Sequence, residues 1–304
     1  MREIPPIKYD KDVERMAEYY QRSHLRVTEE LVRLLETDSW NVLVSQEASL
    51  ARQLQLIMHE NDTAIHAEVD ALIKKSHVAG QAQALLSLGE ASTLAEATRG
   101  VSMSMFTQKS AEKMVQDTFE DVLALTSRTD KRIKQTVREI SGEVLRMNAM
   151  NQSGLTDSRK AIMNQLLKKG FSKKITKDFK GVTDSAGRKW VLKTYVNMLT
   201  KTKISQAYSE GVRSECVERG VDLAMISSHG AKDACRHFEG MVISMTGATA
   251  GYLTYDELRN SNKIFHPNCE HTITPLRDIS LLPPQLQEKH KQMLANVKKS
   301  KILS

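Results

Sequence analysis

The chain has 304 residues, 40% apolar, 27% charged and 5% aromatic: enough for two folded domains, or one with a long extension, built on Leu, Met, Ala and Val rather than an aromatic-rich sandwich. Cys216, Cys235 and Cys269, an odd number, argue against a disulfide framework and predict synthesis in a reducing cytoplasm; no signal peptide is expected, and no run approaches the ~18 apolar residues of a membrane span. The net charge of +7 is segregated: 14 Lys/Arg against 21 Asp/Glu in residues 1–130, 18 against 5 in residues 131–203, and 12 against 11 in residues 204–304.

The predicted fold is mainly α: a long helical N-terminal part and a small α+β C-terminal module with a few short strands. Residues 1–9, with Pro5 and Pro6, read as an extended arm. Val13, Met16, Tyr20, Leu25, Leu31 and Leu35 recur at helical spacing over residues 10–35, with Asp10 or Asp12 as the cap. Leu43, Leu50, Leu54, Ile57, Ile65, Val69 and Ile73 continue the pattern over residues 41–73. The Ala/Leu-rich residues 80–96 favour another helix, and Gly100 a break. Residues 111–147 predict one or two more. These Leu and Met stripes suit a core or a partner-facing surface, and no catalytic constellation accompanies them. Residues 1–150 therefore read as a helical partner-docking region.

Residues 151–220 read as a basic helical region. A turn at residues 151–154 leads to a helix opened by Asp157 and closed by Gly170, carrying Arg159, Lys160, Lys168 and Lys169. Lys173, Lys174, Lys177 and Lys180 follow, with Phe171 and Phe179 interleaved. Cations at this density can track a phosphate backbone, so these eight are the predicted contacts to double-stranded DNA, made without reading sequence. The alternatives are a solvated helical face or a surface that docks on an acidic protein, with the two Phe anchoring a core. A long helix over residues 190–219 ends at Gly220.

Residues 221–277 change texture. Strand-like runs at 221–227, 241–245 and 272–276 lie between Gly-bounded loops, which predicts a small mixed module. Pro283 and Pro284 precede a basic helix over 285–297 within a tail of residues 278–304.

This module gathers four of the nine His and two of the three Cys into residues 229–240 and 265–275. Cys235, Cys269 and His271, with His266 or alternatively His237, make a four-ligand N/S set suited to tetrahedral zinc. His266 and Cys269 flank a Pro-Asn turn fit to act as a bidentate knuckle. Such a staple would hold a module too small for a strong core. The spacing departs from paired Cys-x-x-Cys knuckles. The other reading is a set of hydrogen-bonded turns with Cys235 and Cys269 buried as small hydrophobes. An enzymatic alternative is a metal-dependent nuclease or other hydrolase centred on His229, His266 and His271, or a thiolate of Cys235 or Cys269 beside His229. No paired His or carboxylate set stands at diagnostic spacing for it. His229, following Ser227 and Ser228, suits hydrogen bonding to turn carbonyls, and Gly230, Gly240 and Gly251 suit turns of positive φ.

Residues 186–276 resemble the phage minor capsid proteins of the Mu F-like head morphogenesis family. The likeness rests on Ala186-Gly187-Arg188-Lys189-Trp190, Tyr195-Val196-Asn197-Met198 and Thr200-Lys201-Thr202 at the long helix. It continues in Ile226-Ser227-Ser228-His229-Gly230-Ala231, Phe238-Glu239-Gly240 and Asn268-Cys269-Glu270-His271. Lys232 and Glu270 stand where the family often has Arg, and Cys235 where it has His or Cys. The resemblance implies a non-enzymatic virion protein, made in the host cytoplasm and placed inside the head near the portal. Its implied partners are the portal protein and other capsid proteins, and its implied task is head assembly or DNA delivery. Binding to the portal without any DNA contact is the remaining possibility.

Overall fold

The computed structural model describes residues 9–36, 47–151, 164, 182–183 and 188–300. It is mostly helical with a small antiparallel sheet toward the C-terminus, the fold class that composition and periodicity predict. The chain divides into two compact units. One comprises Asp10–Glu68 and Phe119–Asn197; the other comprises Met1–Tyr9, Val69–Thr118 and Met198–Ser304.

The first unit holds helix α1 (Asp10–Glu36), the first part of α2 (Glu47–Ser87) and the later part of α4 (Met105–Asn151). Asp10 and Asp12 sit in the first turn of α1, where carboxylates complement the helix dipole. Val13, Met16 and Ala17 are buried at the spacing the sequence predicts. Arg15 reaches Glu68 at 3.0 Å and Arg26 reaches Glu60 at 2.9 Å. Such exposed pairs contribute about 0–1 kcal/mol each, so they align helices more than they stabilise them. His66 meets Phe119 edge-on at 4.4 Å. A short ribbon pairs β1 (Val182–Thr183) with β2 (Lys189–Trp190), Val182 opposite Trp190. The long helix α5 (Leu192–Glu218) therefore starts two residues later than periodicity suggests: Trp190 is spent on the ribbon and on an edge contact with Tyr195.

In the second unit, α2 runs unbroken through residues 74–79 into Gly80, where the sequence predicts the end of one helix and the start of another. A β-carbon at Gly80 would collide with the Tyr208 carbonyl of α5, and one at Gly211 would collide with the His77 carbonyl of α2. Two glycines thus let two helix backbones touch. The helix penalty of about 1 kcal/mol per glycine is offset by close approach. Around this seam His77 contacts Gln81 and Ser214, each at 3.3 Å. Fully buried Glu215 accepts from Gln81 (2.9 Å), the Ser102 amide (2.9 Å) and Arg219 (2.8 Å). The expected helix over residues 80–96 divides: Gly89 turns the chain at φ 73°, and Thr93 caps the short α3 (Leu94–Arg99).

Three strands appear where three were expected. Central β3 (Leu223–Ile226) is antiparallel to β4 (Val242–Ser244) on one side and to β5 (Ile273–Leu276) on the other. Their inner faces join Phe238, Met241, Tyr255 and Leu258 in a core shared with Val212 and Cys216 of α5. Helix α6 (Tyr255–Asn260) was not anticipated. Its signal was nonetheless present as a Thr254/Glu257 capping box, which forms reciprocally. Helix α7 (Pro284–Ser300) matches the expected tail helix. Its His290 accepts the Val242 amide proton at 3.1 Å and stacks on Tyr252 at 5.4 Å, so this backbone donor is satisfied.

Candidate metal centre

The site is assembled by the two connections of the three-stranded sheet. The β3–β4 connection carries His229, Asp233, Cys235, His237 and Glu239, and the loop before β5 carries His266, Cys269 and His271. Asp233 caps a 3-10 turn (Ala234–His237), accepting the Cys235 amide at 3.0 Å and so placing Cys235 inward. Phe238 follows as a fully buried anchor, and Gly240 turns the chain back at φ 82°. In the second loop, besides Asn262 (φ 55°), two further non-glycine residues adopt left-handed backbone: Phe265 (φ 56°) and Asn268 (φ 63°). They immediately precede His266 and Cys269. A hydrogen bond of 2.9 Å from the Cys269 amide to the His266 carbonyl closes the turn between them. Left-handed backbone costs a bulky residue about 1–3 kcal/mol, and it is found where surrounding structure fixes side chains for a purpose.

Four of the predicted ligands fall into two neighbouring triads that share Cys235. Cys235 Sγ lies 3.1 Å from His266 Nε2 and 3.8 Å from Cys269 Sγ, and Cys269 Sγ lies 3.3 Å from His271 Nδ1. The ligand atoms of Cys235, Cys269 and His271 all lie within 4.8 Å of one another, as do those of Asp233, Cys235 and His266, with Cys235 common to both sets. His237, the alternative fourth ligand, is exposed at the end of the 3-10 turn and belongs to neither. His229 was expected to serve turn carbonyls. Its ring instead lies against His271, Nε2 to Nδ1 at 3.4 Å. Arg159, Lys160, Lys168, Lys169, Lys173, Lys174, Lys177 and Lys180 lie outside the described residues.

Two carboxylates that the sequence did not single out organise the imidazoles. Glu239 accepts amide protons from His229 (2.9 Å) and Ala231 (3.0 Å) and lies 3.3 Å from His271 Nε2. Burial opposes its ionisation, but the amides of Ala231 and His229 outweigh burial and hold the carboxyl at about 2. An ionised Glu239 fixes the His271 proton on Nε2 and leaves Nδ1 as a bare lone pair. Burial, reinforced by His229, also lowers the pKa of His271, so the neutral ring is the stable form. His266 Nδ1 donates to the Pro267 carbonyl at 2.9 Å, which bares Nε2 toward Cys235 Sγ and toward Asp233 Oδ2 at 3.2 Å. Burial and the neighbouring Cys269 push the Cys235 thiol up. Cys235 Sγ, Cys269 Sγ and the His271 Nδ1 lone pair therefore cluster, with the His266 Nε2 lone pair against Cys235 Sγ beside them, a donor set matched to a borderline-soft cation.

Among the described residues no helix is long and apolar enough to cross a membrane. No curated protein and no solved structure matches the chain. The family model for phage minor capsid protein 2 matches residues 5–302. With nearly its whole length matched, the chain belongs to the phage minor capsid protein 2 family.

Proposed function

We propose that this virion protein is a non-enzymatic head component that sits inside the capsid near the portal, contacts packaged DNA without reading sequence, and assists head assembly or DNA delivery. Membership of a capsid family supports a structural role with other virion proteins as partners. The observation that carries the DNA contact is the charge segregation: 18 Lys/Arg against 5 Asp/Glu in residues 131–203, beside an acidic N-terminal stretch. A block of this sign would neutralise phosphates and release counterions, while the acidic stretch stays available for a protein partner. Resemblance to the Mu F-like proteins, carried by the Ser227-Ser228-His229 and Asn268-Cys269-Glu270-His271 segments, favours the portal as that partner.

The test is a salt titration of the full-length protein on mixed-sequence duplex DNA. The expected result is binding whose log K falls linearly with log salt, with a slope near 0.9 per phosphate neutralised. Replacing Lys173, Lys174, Lys177 and Lys180 by Gln should weaken binding on every sequence alike and reduce the slope by roughly 3–4. Salt-independent binding, or binding untouched by the four substitutions, sinks the DNA contact. Immunogold detection at a single capsid vertex would support the portal placement, and uniform labelling of the shell would overturn it.

A further inference from the structure

We propose that Cys235, Cys269, His271 and His266 bind one zinc ion that ties the β3–β4 connection to the loop before β5. Tetrahedral zinc with Zn–S of about 2.3 Å and Zn–N of about 2.0–2.1 Å requires ligand-to-ligand edges of about 3.8 Å for S–S and about 3.5 Å for S–N. The corresponding edges here are 3.8 Å for Cys235–Cys269, 3.3 Å for Cys269–His271 and 3.1 Å for Cys235–His266. The S–S edge thus stands at the metal-bound length and the two S–N edges fall within about 0.4 Å of theirs, in a module with no disulfide among the described residues. Closing the fourth corner takes a swing of the His266 ring away from Asp233 and toward the Cys235–Cys269 edge.

The outer shell matches as well. Liganding imidazoles characteristically donate their second N–H to a carboxylate or a backbone carbonyl. His271 does the first, to Glu239, and His266 does the second, to the Pro267 carbonyl. His266 Nε2 also lies 3.2 Å from the Asp233 carboxylate. Binding converts two thiols to thiolates and releases two protons to solvent. Zn²⁺ with two thiolates and two neutral imidazoles then has no net charge, which suits a site where Cys235 and His271 are almost wholly buried. All four ligand positions are filled by protein, so the site is of the closed, structural kind and offers no open position for hydrolysis.

The experiment uses the full-length chain, purified under reducing conditions, supplied with zinc and desalted. Elemental mass spectrometry should give about one zinc per chain. Cys269→Ser and His271→Ala should lose it, Glu239→Gln should hold it about 10–100-fold more weakly, and His229→Ala and His237→Ala should retain it. Because the cysteine variant can fail to fold, the metal-stripped native protein is also titrated with Co²⁺. A thiolate-to-cobalt charge-transfer band with the intense visible bands of a tetrahedral site is the expected signature. Zinc-free native protein after reconstitution, zinc retained in both ligand variants, or an octahedral cobalt spectrum each overturns the proposal. Loss of zinc in His229→Ala overturns the assigned ligand set. None of these results depends on whether the basic block binds DNA.

Discussion

The α2–α5 seam and the loops around Cys235 solve the same problem by opposite means. At the seam, a regular helix pair gains contact by deleting side chains: Gly80 and Gly211 bring backbone against backbone, and His77, Gln81, Ser214 and Glu215 beside them are buried and hydrogen-bonded among themselves. In the loops regular structure is scarce, and order comes from particular residues: a capping Asp233, an ionised Glu239, and the left-handed Asn262, Phe265 and Asn268. The seam spreads its stability over many small contacts. The loops concentrate theirs in a few groups, so single substitutions should act locally there and globally at the seam.

The largest effect should come from the seam. Gly211→Ala places a carbon on the His77 carbonyl, which neither helix can yield without separating. A loss of about 3 kcal/mol or more is expected as a lowered urea midpoint. A loss under about 1 kcal/mol would show that the helices are not in backbone contact. Arg219→Ala comes next. It strips Glu215, which is fully buried, of its charged partner, while Gln81 and the Ser102 amide still donate to it. Arg219 is itself partly exposed, so the full buried-pair penalty is discounted to about 2 kcal/mol.

Removing the proposed zinc sharpens the contrast between the regions. Chelation should speed amide exchange in residues 229–240 and 265–272 and leave α2 and α5 protected, a pattern read by hydrogen-exchange mass spectrometry. Uniform acceleration across both regions would erase the distinction drawn above. Asn268→Ala should cost about 1 kcal/mol, because Ala tolerates left-handed backbone less well than Asn. Thermal denaturation measures it, and an unchanged midpoint would show that the turn is free to relax.

The smallest effect is one of pH. Asp222 accepts from Ser244 Oγ (2.6 Å) and from the Thr246 (2.9 Å) and Thr249 (3.0 Å) amides, tying the loop after β4 to the residue before β3. Burial raises its pKa, but these hydrogen bonds outweigh burial and hold it below the ordinary carboxylate value. A depressed folded-state pKa contributes stability above about pH 4, lost as pH falls below that value. Asp222→Asn should therefore flatten stability against pH below about pH 4 by up to one proton's slope. An unchanged acid limb would mean that the loop does not depend on the ionised group.

What the sequence disclosed follows from where its information is local. The apolar period of α1, the stop at Gly220 and the Gly-bounded strands are local signals, and the structure carries all three. The continuity of α2 across residues 74–79 and the role of Gly80 are not legible because their reason is tertiary: nothing near them in sequence announces Gly211. Helix α6 was missed although Thr254 and Glu257 spelled its cap, because a six-residue helix has too few turns to show a period. Within the candidate site the soft ligands stood out by scarcity, as three Cys and nine His in 304 residues do. Glu239 and Asp233 did not, since acidic residues beside turns are common, and only folding distinguishes the two that orient an imidazole.

The reciprocal glycines also have a meaning in time. Gly80 and Gly211 are separated by 131 positions. At a ribosomal pace of about 5–20 residues per second, the partner of Gly80 emerges roughly 7–26 s after it. Through that interval the α2 face bearing His77 and Gln81 has no mate. Its polar groups there can be watered rather than buried, which keeps the nascent chain soluble until α5 arrives to displace the solvent.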